Sequence, residues 1–535
     1  MTLSTSPSRR ALVAGGALVA LLGTGLVAVP SGAAPASPRG CDMRNNNTYE
    51  KLLECVTVDG VLEHEQAFQA IADEHGSRAD QTPGYEASVE YVLDVLEDAG
   101  WEAEKVAFTY PGGDSVLQQL TPVDAVYDHN VATGSGTGEV EEAEVVAVDI
   151  NLTPPRDNTS GCEESDFDDF PAGAIALVQR GTCPFADKAL NAVTAGASAV
   201  VIFNQGDTDA PDRINTLNPT LGDVTVDIPV VGTNFAAGEA LAQEGSTARV
   251  VVPEATSYNV IAELPGRNDD NVVMAGAHLD SVPAGAGIND NGSGSAALLE
   301  IAQALGNHKP QNTVRFAWWG AEELGLIGST QWVNQQLEAG TLDEVALYLN
   351  FDMIGSPNYV FMVYDANEST FPAPDGVPIP EGSAQIERVF ESFYTLREQP
   401  YDDTLFSGRS DYQAFINNGI PSSGLFTGAE TRKTEEQVEI WGGTAGAQFD
   451  PCYHDACDDI GNLDLHALEV NADAIAFAVL TFAYSTEDVN GVPGKKVPGN
   501  FTIPEPDGPR HTFGPPRGGT DGGGGLDHDH EVQAS

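Results

Sequence analysis

The chain has 535 residues, enough for two or three domains that each bury a core, so a disulfide-only scaffold or a peptide hormone is excluded. Eighty Asp and Glu against 24 Lys and Arg give a formal net charge of −56, a field that argues against binding DNA or anionic lipid, since both need cationic surface. With 41% apolar and 7% aromatic residues the composition still supplies packed cores, and the acidity reads as a solvated surface.

Residues 1–36 stand apart. Arg9-Arg10 precedes an apolar stretch from Ala11 to Val29, then Pro30 and the small-residue site Ala34-Pro35-Ala36, which is the layout of a secretory signal. Gly15, Gly16, Gly23 and Gly25 argue against a membrane anchor, and Ser8-Arg9-Arg10 also suits the twin-arginine route. The expectation is a secreted, extracellular protein of bacterial type with no stable membrane anchor. Export fits the six cysteines, which fall into close pairs: Cys41 with Cys55, Cys162 with Cys183, and Cys452 with Cys457. Neighbouring pairs are the simplest disulfide scheme, and zinc-ligating cysteines are the rival, although no CxxC pair supports it.

Leu62 to Glu74 and Glu86 to Ala99 carry helix-period apolar positions, and a strand is expected through Trp101 to Tyr110. From about Gly112 to Ala255 the pattern changes to short β-like runs and acidic loops, which reads as an inserted domain. Within it Ala174–Val178, Phe185–Ala195 and Ala199–Phe203 form a strand, helix, strand signature. From Ser257 strands and helices alternate: strands over Asn271–Ala277, Thr313–Trp319, Val345–Phe351 and Pro421–Thr427, helices over Ser295–Leu305 and Glu323–Leu337, and a last helix over Leu465–Tyr484. Strands apolar throughout and linked by helices predict an α/β fold with a mostly parallel sheet covered on both faces. Gly491–Ser535 holds 11 Gly and 7 Pro, too rich in breakers to pack, so a flexible tail is expected. Its Asp527-His528-Asp529-His530 is a weak metal motif outweighed by the reading of an incidental polar terminus.

His278, Glu322-Glu323 and Asp352 all follow apolar strands, the edge where open α/β sheets place ligand sites. Asp290 lies in the turn Gly287-Ile288-Asn289-Asp290-Asn291-Gly292, and His454 lies between Cys452 and Cys457. Two histidines and three carboxylates suit two zinc ions bridged by one carboxylate. Taken singly, each is as well read as a helix cap or a satisfied polar group; the constellation carries the argument.

His278-Leu279-Asp280-Ser281, Gly287-Ile288-Asn289-Asp290-Asn291-Gly292-Ser293-Gly294, Ala321-Glu322-Glu323-Leu324-Gly325, Asn350-Phe351-Asp352-Met353-Ile354-Gly355 and Tyr453-His454 resemble, in order, the site motifs of the secreted bacterial co-catalytic di-zinc aminopeptidases, which are leucyl aminopeptidase-like zinc exopeptidases. The similarity covers about Asp42–Gly112 and Ser257–Glu487, and Arg180-Gly181-Thr182-Cys183-Pro184-Phe185 resembles the protease-associated domain that some members insert. The resemblance implies a discontinuous peptidase domain over 41–111 and 256–487, an insert over 112–255 and a tail over 488–535.

It further implies that Asp290 bridges two zinc ions, with His278 and Asp352 on one and Glu323 and His454 on the other, and that the peptide after Asp290 is cis. Glu322 would be the general base, Asp280 would accept the second ring N–H of His278, and Tyr453 would help stabilise the oxyanion. Asp280 as a turn residue and Tyr453 as packing beside a disulfide are the plainer readings. Arg409 would lie near the substrate backbone, with a structural salt bridge to Asp411 or Asp403 as the alternative. Met353, Phe426 and Tyr453 would wall a pocket favouring a large apolar N-terminal residue such as leucine.

The substrate expected is the N-terminus of a peptide or protein, acted on by a monomer that binds no nucleic acid. Calcium is compatible with the acidity, with no ligands to name. A carboxypeptidase, a glutaminyl cyclase and a catalytically silent binding protein on the same scaffold are the competing functions.

Overall fold

The computed structural model describes residues 40, 41 and 44–513 apart from 207–212, 223, 307 and 375. The expected leader, with Arg9-Arg10 and Ala34-Pro35-Ala36, and the Asp527–His530 stretch lie outside the described residues.

Two long helices open the described chain, Val58–His75 and Pro83–Ala99. The Thr57 and Thr82 side chains accept from Gly60 N–H and Tyr85 N–H, Pro83 occupies the first turn, and Gly100 at φ 81 closes the second helix. Strand β1 (Glu102–Pro111) leads into an insertion of eight strands: β2 (Val116–Thr121), β3 (Ala125–Val126), β4 (His129–Val131), β5 (Gly138–Ala147), β6 (Ile175–Gln179), β7 (Ala199–Phe203), β8 (Val230–Thr233) and β9 (Thr247–Val252). The chain returns through β10 (Glu254–Leu264), β11 (Asn268–His278), β12 (Asn312–Trp319), β13 (Val345–Phe351), β14 (Met362–Tyr364), β15 (Asp402–Thr404) and β16 (Ser422–Phe426).

These strands make two sheets, ordered β1-β10-β12-β11-β13-β16-β14-β15 and β3-β2-β9-β5-β6-β7-β8-β4. In the first, β12, β11, β13 and β16 are parallel, while the β1–β10–β12 margin and the β14–β16 pair are antiparallel. The mostly parallel α/β expectation therefore holds at the centre. β1 and β10 pair from Glu102↔Glu263 to Pro111↔Glu254, and Gly112 N–H donates to Pro253 O at 2.9 Å. The inserted sheet thus leaves and re-enters through the open end of one hairpin.

Side chains alternate between two buried faces, as a fully covered sheet requires. Val273, Ala275 and Ala277 of β11 pack with helices Val58–His75, Ser293–Leu305 and Leu465–Tyr484, whereas Met274 packs with Trp332 and Phe415 on the other face. Leu465–Tyr484 is long and apolar enough to cross a membrane, but most of it is buried in this layer. The inserted sheet repeats the scheme, with Phe185–Thr194 on one face and Phe235–Leu241 on the other.

Two expectations are corrected. The helix predicted from Glu323 begins at Ile327, because Gly325 (φ 110) and Leu326 (φ 58) take left-handed backbone and hold Glu322 and Glu323 in a turn. The tail is also packed as far as Phe513. Phe501 lies against Tyr49 and Phe477, Phe513 lies near Phe371 and Phe449, and Asp402 accepts the backbone N–H groups of His511 and Thr512. Glycine and proline prevent a helix or strand here, yet an extended strap with spaced aromatics can still bury them. The cysteines pair as expected, Cys41–Cys55, Cys162–Cys183 and Cys452–Cys457.

Candidate metal centre

Because β12, β11 and β13 are parallel neighbours, their carboxyl ends meet at one edge. His278 is the last residue of β11, Asp352 follows β13, and Glu322 and Glu323 lie in the turn after β12. Three residues at this edge hold left-handed backbone: Ala321 (φ 54), Met353 (φ 54) and His454 (φ 57). Such strain persists only where surrounding contacts enforce it. The Asp290–Asn291 peptide is cis.

Asp290 stands between the two histidines. Its Oδ1 is 3.2 Å from His278 Nε2, and its Oδ2 is 3.2 Å from His454 Nε2. Asp352 Oδ1 is 3.4 Å from His278 Nε2, and Glu323 Oε2 is 3.0 Å from His454 Nε2. Around a tetrahedral zinc with bonds of about 2.0 Å, neighbouring donors stand about 3.3 Å apart, and each of these four histidine–carboxylate separations is close to that value. Asp352 Oδ1 and Glu323 Oε1 are buried without any hydrogen bond, as oxygens reserved for a cation would be. The donor set of imidazole nitrogens and carboxylate oxygens is one zinc accepts.

The electrostatics agree with the geometry. Burial would lower the His278 and His454 pKa values, but the facing carboxylates reverse this, raising His278 well above its ordinary value and His454 to about 11. Burial and then the Asp290 charge raise Glu323 to about 7, and burial followed by Asp352 and other acids raises Glu322. Asp290 is lowered despite its burial by the two histidines.

Supporting contacts fix each ligand. His278 Nδ1 lies 3.0 Å from the Asp280 backbone oxygen, which can only accept; Nδ1 therefore donates there, and the contact turns Nε2 toward Asp290 and Asp352. The expected partner, the Asp280 carboxylate, is 3.7 Å from Nδ1. It accepts instead from the backbone N–H groups of Glu322 (3.1 Å) and Glu323 (3.2 Å). A carboxylate acting on two successive amides orients the turn rather than the ring.

Arg409 donates to Glu430 at 2.8 Å, forming an ion pair, and to Tyr453 OH at 3.0 Å. Because the Tyr453 oxygen accepts from Arg409, its own proton is free for another acceptor. Burial raises the Tyr453 pKa, which keeps that proton on. The ring also stacks on His454 at 3.8 Å.

Sequence reasoning missed several of these positioning groups. Ser410 donates to Asp352 Oδ2 at 2.6 Å and accepts from Asn350, in a chain that runs back through Tyr348 to Trp319 Nε1. Asp458 accepts the N–H groups of Asn289 and Asp290, and the buried Arg78 donates to Ala286 O and Gly287 O. Ser410 and Asp458 adjoin quoted segments, but a serine or aspartate in a loop carries no periodic signal.

The cavity above these ligands, about 560 Å³, is lined by Glu322, Met353, Arg409, Phe426, Tyr453 and His454 among others. Phe426, Ala429 and Thr404 also line a narrow adjoining recess with Met362, Phe371, Asp403, Phe449 and Phe513.

The profile of Peptidase family M28 matches residues 259–479, and that of the PA domain matches 141–241. The chain is 46% identical over 454 residues to an aminopeptidase of Pseudomonas aeruginosa, covering 82% of this chain and 83% of that one. It is 44% identical over 354 residues to a probable leucine aminopeptidase 2 of Aspergillus fumigatus, covering 64% of this chain and 68% of that one. A zinc aminopeptidase structure from Bacillus subtilis aligns with a TM-score of 0.57 at 25% identity, covering 79% of this chain and 94% of that one.

Proposed function

The chain belongs to peptidase family M28 and is a zinc-dependent aminopeptidase, and from that premise we propose that it is an exported di-zinc enzyme whose general base is Glu322 and whose preferred N-terminal residue is large and apolar. Asp290 would be the ligand common to both ions, with His278 and Asp352 holding one and Glu323 and His454 holding the other. The observation that carries this is the placement of the two Asp290 oxygens, each 3.2 Å from a different histidine.

Bound zinc supplies Lewis acidity, lowering the pKa of the attacking water toward about 7 and polarising the scissile carbonyl. Glu322, held by the Asp280 contact to its own N–H and 3.9 Å from His278 Nε2, takes the proton from that water as the water attacks and delivers it to the departing amine. Tyr453, its oxygen already engaged by Arg409, donates to the carbonyl oxygen as charge develops there.

Met353, Phe426 and Tyr453 line the cavity and offer apolar surface to a side chain such as that of leucine, and the fungal relative's name is consistent with that preference. Three disulfides and the leader-like N-terminus support export. The protease-associated insert over 112–255 touches the catalytic turn, with Thr133 Oγ1 3.5 Å from Leu324 O, and acts as part of the rim that screens substrates.

The test compares leucyl-anilide with its N-acetylated form, each with and without a chelator. Release from the free amine alone, abolished by chelation and restored by two equivalents of zinc, is expected. Release from the blocked substrate, or restoration by one equivalent, would overturn the reading.

A further inference from the structure

A second group of acids is buried in the peptidase domain, and one of them, Asp403, also lines the recess beside the cavity. Glu387 and Glu391 stand one turn apart on the helix Ser383–Leu396, and Asp403 belongs to β15. Each offers an oxygen, and the three oxygens lie within 4.8 Å of one another. Glu387 and Asp403 are 0% exposed and Glu391 is 6% exposed. Three carboxylates packed this tightly cannot all stay ionised without a cation.

The protein offers them neutral donors. Glu387 accepts from Ala366 N–H (3.1 Å), Asn367 N–H (2.9 Å) and Asn367 Nδ2 (2.7 Å), and Glu391 Oε1 accepts from Tyr401 OH at 3.1 Å. Asp403 Oδ2 accepts from the Ser369 and Thr370 hydroxyls, whereas its Oδ1, equally buried, accepts from nothing. Burial raises Glu391; Arg388 opposes this only weakly and lies in an exposed pair with Glu505. Burial and then the neighbouring acids raise Glu387 to about 9, and burial raises Asp403 to about 7.

We propose that Glu387, Glu391 and Asp403 bind a calcium ion. All the donors are oxygens, which suits a hard cation and disfavours a second zinc centre. The three oxygens lie close enough for one cation to touch all of them, and calcium accepts an irregular arrangement of oxygens where magnesium demands a near-ideal octahedron.

The ion lies beneath the C-terminal strap. Gly508 N–H donates to Tyr401 OH, His511 Nδ1 is 2.8 Å from Thr370 Oγ1, and Asp402 takes the His511 and Thr512 N–H groups. Calcium therefore stiffens the segment that delivers Phe513 to the recess beside the cavity.

The experiment uses the full chain with its zinc held constant by a zinc buffer, and titrates calcium into calcium-depleted protein. The expected result is a melting-temperature rise of about 5 °C at saturation, one bound calcium by elemental analysis, and terbium(III) luminescence excited through Tyr401 and quenched by added calcium. Asp403→Asn, Glu387→Gln and the rim variant Glu391→Gln should each weaken calcium binding at least 10-fold while keeping the zinc content.

Absence of a calcium shift in the wild type overturns the site without any variant having to fold. Amide variants that match or exceed the wild-type melting temperature without calcium would assign the cluster to shared protons. Selective loss of lysyl-anilide turnover in Asp403→Asn, with no metal dependence, would give Asp403 to the substrate side chain instead.

Discussion

The molecule contains two eight-stranded sheets, each covered by helices on both faces and each with a run of parallel neighbours at its centre. The carboxyl ends of those neighbours differ completely. In the peptidase sheet they present His278, Glu322, Glu323 and Asp352, with carboxylate oxygens left unpartnered. In the inserted sheet β6 and β8 end at Gln179 and Thr233 and Asn204 follows β7, and their amides and hydroxyl are consumed locally. Gln179 donates to Asn151 O and Gln205 O, Asn204 to Asn215 O, and Thr233 to Asp128 O. The parallel edge is an opportunity rather than a site, and it becomes one where titratable groups converge that their own loops do not satisfy.

The sharpest way to break this contrast is Glu322→Gln. Turnover of leucyl-anilide should fall by about 10³-fold while elemental analysis still finds the metal, because the base is lost and the ligands remain. Near-normal turnover would move the base elsewhere.

Truncation after Glu487 comes next. The strap packs on the peptidase sheet, through Phe501 against Tyr49 and Phe477, so calorimetry should show that domain melting on the order of 5 °C lower. An unchanged melting temperature would return the strap to the status its composition suggests.

Excising the inserted sheet between Gly112 and Pro253, which are already hydrogen-bonded across the hairpin, should change leucyl-anilide hydrolysis by only about 3-fold. The preference between long and short peptides should shift more, since the insert meets the catalytic turn at Leu324.

The smallest effect concerns pH. Burial lowers His64 to about 4 from its ordinary 6.5. The unfolded chain therefore takes up this proton first: the contribution is complete above pH 6.5 and is lost as pH falls toward 4. Between pH 6.5 and 5.5 the loss is about 1 kcal/mol. Denaturant titrations of His64→Gln should show a correspondingly flatter profile.

What could be read from the sequence divides along physical lines. Apolar runs such as Val345–Phe351 and Leu465–Tyr484 coincide with a strand and a helix because local pattern and burial agree. His278, Glu323 and Asp352 were visible beside strand ends, Asp290 in a glycine-rich turn and His454 between two cysteines, and the chain brings each histidine within 3.4 Å of two of the carboxylates. Ser410, Asp458 and Glu430 were not visible, since their roles exist only after loops distant in sequence meet. Glu387, Glu391 and Asp403 were hidden by the acidity of the whole chain, in which three more carboxylates carry no signal until burial separates them from the rest. The strap escaped notice because proline and glycine report the absence of regular structure, which is a different property from the absence of packing.

One wall of the recess beside the cavity is Phe513, supplied by the strap rather than by the strands that carry His278 and precede Asp352. The shape of that recess can therefore change without touching the residues at the sheet edge. Exchanging Phe513 would alter an aromatic wall while leaving the Ser410 contact to Asp352 and the Asp280 contact to the Glu323 N–H in place.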